Sequence, residues 1–281
     1  MTSVNNAKKK FIIIWALIIV LLLISIFAVS GNAPEKSESI QEVMRDGVLH
    51  DLNKINLFGL SVNPALISAY IVTALLIVGA ALFRIFAFPK FKLIPGKFQA
   101  AIEKAVEFFS DMAKGNSPHK PKFVSAYIFS AGVYIFFGTL FELLGVQAIT
   151  DKGSAITLSA PLADVNAAIA MGVLSYGVIL GGGIIANGLG GLKVLKDFSL
   201  PISMSFRLFG ALLSGLLVTE LVYYFVSLSF VLPVVVGVMF TMLHALIQTY
   251  VLTTLVSVFY GEAVEPSKKK SKKEGNKNEK D

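Results

Sequence analysis

The chain has 281 residues, of which 55% are hydrophobic and only 15% charged, with a net charge of +7. An ordinary soluble domain carries about 25% charged residues, so this composition excludes a soluble fold and equally a disordered chain. Cysteine is absent, which removes disulfides, zinc thiolates and thiol nucleophiles. The low charged fraction also argues against nucleic acid as a partner, despite the positive balance.

Six stretches reach the roughly 20 apolar residues that a membrane-crossing helix needs. They are Phe11–Ser30, Pro64–Phe88, Phe123–Val146, Val165–Gly190, Phe198–Phe230 and Pro233–Gly261. The first two are almost unbroken aliphatic and aromatic runs. The fourth is rich in Gly and Ala, and the last two carry polar residues inside. The first has two readings. Lys8–Lys10, an apolar run and the small residues Ala28 and Ser30 fit a cleaved secretory signal, but the run is longer than the usual 7–15 residues of a signal core. An uncleaved anchor fits better.

Lys and Arg collect on the cytoplasmic side. With the N-terminus inside, Lys8–Lys10, Arg84, the lysines from Lys90 to Lys122, Lys193, Lys196 and the tail lysines from Lys268 to Lys280 all lie inside. Only Lys36, Arg45, Lys54 and Lys152 fall outside. Both termini are therefore expected in the cytoplasm, in a multi-pass protein of the cell membrane. Residues 32–63 form an acidic outer segment, and residues 263–281 a Lys-rich tail expected to be disordered. Residues 94–113 place Phe98, Ile102, Val106, Phe109 and Met112 at helical spacing among Lys and Glu. That pattern predicts an amphipathic helix lying in the membrane surface or docked on a partner.

Arg207 falls on neither side. It lies about ten residues into the fifth span, where a charge costs about 2.5–3.5 kcal/mol and arginine cannot shed its proton. It needs a water-filled cavity or a carboxylate, unless the helix starts late enough for it to snorkel. Ser203, Gly210, Ala211 and Ser214 share its face at helical spacing. Such small residues let another helix approach closely. In the sixth span Thr241, His244 and Gln248 form a polar stripe of the kind that proton paths use. A single His there is often structural. Glu220 lies about 140° round the helix from Arg207, toward a cavity it can share with that stripe. Glu142 ends the third span. Asp164 and Asn166 open the fourth, where Asp164 reads equally as an N-cap. The glycines of Gly181–Gly183 and Gly188–Gly191 lack the strand and the Gly-Lys-Ser/Thr of a nucleotide loop. Close helix packing explains them better. No metal-ligand cluster, nucleophile–base pair or cofactor motif is present, so the chain alone is not expected to be an enzyme.

Five stretches resemble subunit a of the F-type rotary ATP synthases. They are Pro95–Gln99, Glu142–Leu144, Ala163–Asn166, Pro201–Gly210 with its Arg-Leu-Phe-Gly core, and Gln248–Ser257. The resemblance runs from about residue 55 to 262. The six apolar stretches together predict an all-α integral membrane protein with six transmembrane helices, and the first looks like an extra anchor added to the family core if it is not cleaved. The last two form a long polar helical hairpin, and residues 64–262 form the channel domain. The implied partners are a ring of c subunits, stator b subunits, the remainder of the ATP synthase complex and the lipid bilayer. By resemblance Arg207 is the essential arginine that separates two proton half-channels and deprotonates ring carboxylates. Ser203, Gly210, Ala211 and Ser214 face the ring. Glu142, Asp164, Asn166, Glu220, Thr241, His244 and Gln248 line the ion path. Three positions depart from the family pattern. Ala211 replaces the usual Asn. Leu216 replaces the usual acid, with Glu220 one turn outward. Thr241 replaces the usual His or Glu, with His244 one turn inward. The half-channel groups suit proton or sodium alike. A secondary transporter with a charged intramembrane site, and a non-conducting membrane scaffold, are the competing classes; the first should show internal repeats, which are absent.

Overall fold

The computed structural model describes residues 55–57, 60–149, 155–224 and 232–266, together with Ala16, Val20, Ile24, Ser39 and Gln41. Most of the expected first span and outer segment, and the tail from residue 267, lie outside the described residues. Among the described residues from Ile55 on, six α-helices follow one another: α1 (Pro64–Leu82), α2 (Lys97–Asn116), α3 (Pro121–Leu140), α4 (Val165–Asn187), α5 (Ser199–Tyr224) and α6 (Leu232–Val264). Two short antiparallel hairpins interrupt the all-α reading. Strands β1 (Ile55–Leu57) and β2 (Leu60–Val62) pair Ile55 with Val62, and β3 (Gln147–Ile149) and β4 (Ala155–Thr157) pair Gln147 with Thr157. Each hairpin lies just before a helix start, and neither has the length to be seen as a strand pattern in the sequence.

Among the described residues, four segments are long and apolar enough to cross a membrane: Pro64–Lys90, Pro121–Leu144, Val165–Asp197 and Val235–Val264. The chain is thus a multi-helical membrane protein. The stretch expected as the fifth span forms helix α5, which is not among these four. Helix α1 is predominantly apolar, and Leu75, Ile77, Val78 and Leu82 are exposed, as a lipid-facing helix requires. At about 1.5 Å per residue, the 33 residues of α6 extend well beyond the roughly 30 Å hydrocarbon core.

Two compact units divide the chain. One comprises Asn53–Leu212 with Thr241–Asp281, and the other Met1–Leu52 with Leu213–Phe240. The core of the first unit joins Val124, Ile128 and Ile135 of α3 to Met171 and Ile179 of α4, Met204 and Leu208 of α5, and Leu252, Val256 and Tyr260 of α6. Lipid offers these side chains as apolar a home as the protein does, so close packing and interhelical hydrogen bonds hold them together. Tyr127 Oη and Ser175 Oγ, 2.8 Å apart, link α3 to α4. The α4 glycines serve the same end: Gly182 leaves room for the Tyr260 ring, and Gly183 touches the backbone of Gly191.

The amphipathic helix begins at Lys97 rather than at residue 94, because Pro95 precedes it and Gly96 takes the extended N-cap position. The C-terminal half of its apolar face docks on the chain itself, while Phe98 and Val106 stay exposed. Phe109 meets Phe129 edge to face at 5.7 Å, and the Met112 carbonyl accepts a hydrogen bond from Ser257 Oγ at 3.2 Å.

Candidate functional site

Helix α4 ends at Gly188, whose φ of 58° stops it. The next ten residues, Gly188–Asp197, form 3₁₀ turns that fold back along α4. Tyr176 Oη donates to the Val194 carbonyl at 3.2 Å. Helix α5 therefore starts beside the middle of α4 and not at its Asn187 end. Ser205 occupies the space that a side chain on Gly172 would need, about two turns into α4. Residues 198–209 and the first turns of α4 enclose an apolar cleft of about 250 Å³, lined by Val165, Ile169, Val173, Pro201, Phe206 and Phe209 among others. Arg207 thus lies nearer the Asp164 end of α4 than the Asn187 end. The sequence reading, counting from the inner flank, had not anticipated this shift.

The two faces of α5 differ sharply. Pro201, Met204, Ser205, Leu208 and Leu212 are buried. Ser203, Arg207, Gly210 and Ser214 are exposed, together with Ile202 and Phe206, and Ala211 is half-buried. A side chain added at Gly210 would meet nothing within 4 Å. Arg207 has no hydrogen bond or ion pair among the described residues. An exposed guanidinium on an apolar surface is costly in lipid unless water or a carboxylate meets it.

On α6, Thr241, Ala245, Gln248 and Leu252 form a buried face, with His244 half-buried beside it. His244 is engaged in an interaction. Gln248 is 5% exposed, and its Oε1 has no hydrogen-bond partner among the described residues. An unmet buried amide oxygen costs about 1–3 kcal/mol, which marks Gln248 as a polar group that packing alone does not explain. Glu220 lies on α5, but its side chain is outside the described residues. Glu142 sits in the 3₁₀ turn Phe141–Leu144 that extends α3; it is half-buried and engaged.

Asp164 is an N-cap. Its Oδ1 accepts from the backbone N–H groups of Asn166 at 2.8 Å and Ala167 at 3.2 Å. Its Oδ2 accepts from Asn63 Nδ2 at 2.6 Å. Sequence reasoning missed Asn63 as a partner, although Asn63-Pro64 before an apolar run is a recognisable helix start. It also missed Asn187, whose Nδ2 donates to the carbonyls of Ala263 at 3.1 Å and Glu265 at 2.9 Å. Among the described residues no group of three or more His, Asp or Glu could hold a metal ion.

Residues 66–261 match the sequence model of the family described as ATP synthase A chain. The chain is also similar to a protein named ATP synthase subunit a from Sulfurihydrogenibium sp. (strain YO3AOP1). The two are 28% identical over 206 residues, which cover 67% of this chain and 92% of the relative.

Proposed function

Since the chain belongs to the ATP synthase A chain family, as an ion-translocating membrane component that is not itself an enzyme, we propose that Arg207 separates two proton half-channels beside a ring of c subunits. Arg207, exposed on a face of small residues and without a partner among the described residues, carries this reading. Ser203, Gly210, Ala211 and Ser214 make that face low, so a passing ring helix can approach. A proton arrives from outside past Glu142, Asp164, Asn166, Glu220, Thr241 and His244, and neutralises a ring carboxylate, which then turns into lipid. The next carboxylate to reach Arg207 is held ionised by the positive charge and has released its proton to the inside. The membrane potential contributes about 2.3 kcal/mol per charge per 100 mV. Gln248 stands beside this path, its buried amide oxygen without a partner among the described residues. The stator b subunits hold the chain in the complex, and both termini lie in the cytoplasm. Family membership removes the transporter and scaffold alternatives.

The test is Arg207→Ala. ATP-driven acidification of inverted vesicles is lost, while ring and stator subunits still co-purify with the variant. Ring-coupled pumping that persists in this variant overturns the assignment. Running the wild-type assay with and without sodium identifies the ion.

A further inference from the structure

The ion path makes no use of the loop between α1 and α2, although the loop is strongly ordered by its own side chains. Helix α1 continues through a π turn at Phe83–Ala87 and a 3₁₀ turn at Phe88–Lys90. The Gln99 amide then closes the loop. Its Oε1 accepts from the Lys92 N–H at 3.0 Å, and its Nε2 donates to the Lys92 carbonyl at 2.8 Å. The Phe91 ring lies 5.8 Å from Phe83 and 5.7 Å from Phe88. The Arg84 guanidinium stacks 4.4 Å above the Phe88 ring.

Between Phe88 and Phe98 the chain carries Lys90, Lys92 and Lys97 and no acid. The loop borders a groove of about 490 Å³ whose floor includes Phe86, Phe91 and Phe98 and whose rim carries Lys90 and Lys92. At its tip Leu93 and Ile94 are 104% and 87% exposed. The loop directly extends a membrane-crossing helix, at the end marked by basic residues.

We propose that this loop is a binding site for an anionic phospholipid. Lys90 and Lys92 take the phosphate oxygens of the headgroup. The first methylenes of an acyl chain lie on Phe86, Phe91 and Phe98, and Leu93 and Ile94 dip into the headgroup boundary. Charge and shape together select this occupant. A free phosphate ion would satisfy the lysines and leave the aromatic floor and the Leu93–Ile94 tip in water. A zwitterionic lipid would cover the apolar floor but bring a net-neutral headgroup to a wholly basic rim. Only a lipid with net negative charge satisfies both, and basic residues near such a surface are attracted individually.

The experiment uses the intact ATP synthase carrying Leu93→p-benzoylphenylalanine, a photoreactive residue at an exposed position. The complex is reconstituted into liposomes containing phosphatidylglycerol or phosphatidylcholine alone and illuminated. Mass spectrometry then reads the adducts on this chain. Phosphatidylglycerol adducts form about tenfold more efficiently than phosphatidylcholine adducts. Adding Lys90→Ala and Lys92→Ala removes that preference, and millimolar inorganic phosphate leaves it unchanged. Equal labelling by both lipids, suppression by inorganic phosphate, or adducts to another subunit of the complex instead of lipid overturns the proposal. The comparison between lipids needs only the photoreactive variant, so it stands even where the double lysine variant fails to assemble.

Discussion

Asn63 and Asp164, 101 residues apart, cap two different helices and are hydrogen-bonded to each other through Asn63 Nδ2 and Asp164 Oδ2 at 2.6 Å. Asn63 Oδ1 also accepts from the Ala65 N–H at 3.0 Å, so each side chain closes its own helix while holding its neighbour's. Two helix starts are thereby fixed at one point, on the side from which the proposed ion path opens.

Substitutions at Asp164 should separate the cap from the tie. Asp164→Ser keeps a capping oxygen but is too short to reach Asn63. Asp164→Ala loses both. Losing the cap costs about 0.5–2 kcal/mol and losing the tie about 1 kcal/mol more. Thermal release of this subunit from the solubilised complex should occur in the order Ala, Ser, wild type as temperature rises. Identical release temperatures for Ser and wild type would deny the tie a structural role.

Gly261 lies against the backbone carbonyl of Asn116, and a side chain there would overlap it. Backbone cannot swing aside as a side chain can. Gly261→Ala should therefore destabilise the subunit by about 1–3 kcal/mol. Gly177→Ala, which meets nothing within 4 Å, should be neutral or mildly stabilising. Expression and thermal stability of the two variants, side by side, check the contrast.

Gln248 distinguishes structural from functional polarity. Replacing a buried amide whose oxygen lacks a partner among the described residues with an apolar residue of similar size is expected to leave stability unchanged or raise it. Gln248→Leu should therefore assemble with at least wild-type thermal stability, yet pump roughly tenfold more slowly if its amide serves ring carboxylates. Wild-type pumping in that variant would remove Gln248 from the ion path.

Gly210 tests the ring-facing strip. A side chain has room there within this chain, so Gly210→Leu should insert and fold normally. Against a moving ring helix the added bulk would obstruct passage, and ATP-driven pumping should fall by about tenfold. An immunoblot for the subunit together with vesicle acidification separates a folding defect from a block; unaltered pumping would place the ring elsewhere.

Much of this protein was legible from residue order. Hydropathy marked Pro64–Phe88, Phe123–Val146 and Val165–Gly190 because a span must be apolar along its length. The asymmetry of lysines gives them an expected orientation, and Arg207 stood out because charge inside a span is costly. Asp164 could be read as a cap because a short acidic side chain before a helix satisfies free N–H groups. The direction in which each helix faces was much less legible. In water, apolar periodicity points to the core. In lipid, both surroundings are apolar, and the pattern of Leu and Val on α1 or α6 carries little sign of which side meets protein. Only three-dimensional packing turned Thr241 and Gln248 inward, docked α2 on its own chain, joined Asn63 to Asp164, and folded residues 188–197 back along α4. That last feature moved Arg207 toward the Asp164 end of α4, because the start of α5 is set by where Ser205 fits against Gly172 and not by the count of residues from the basic flank.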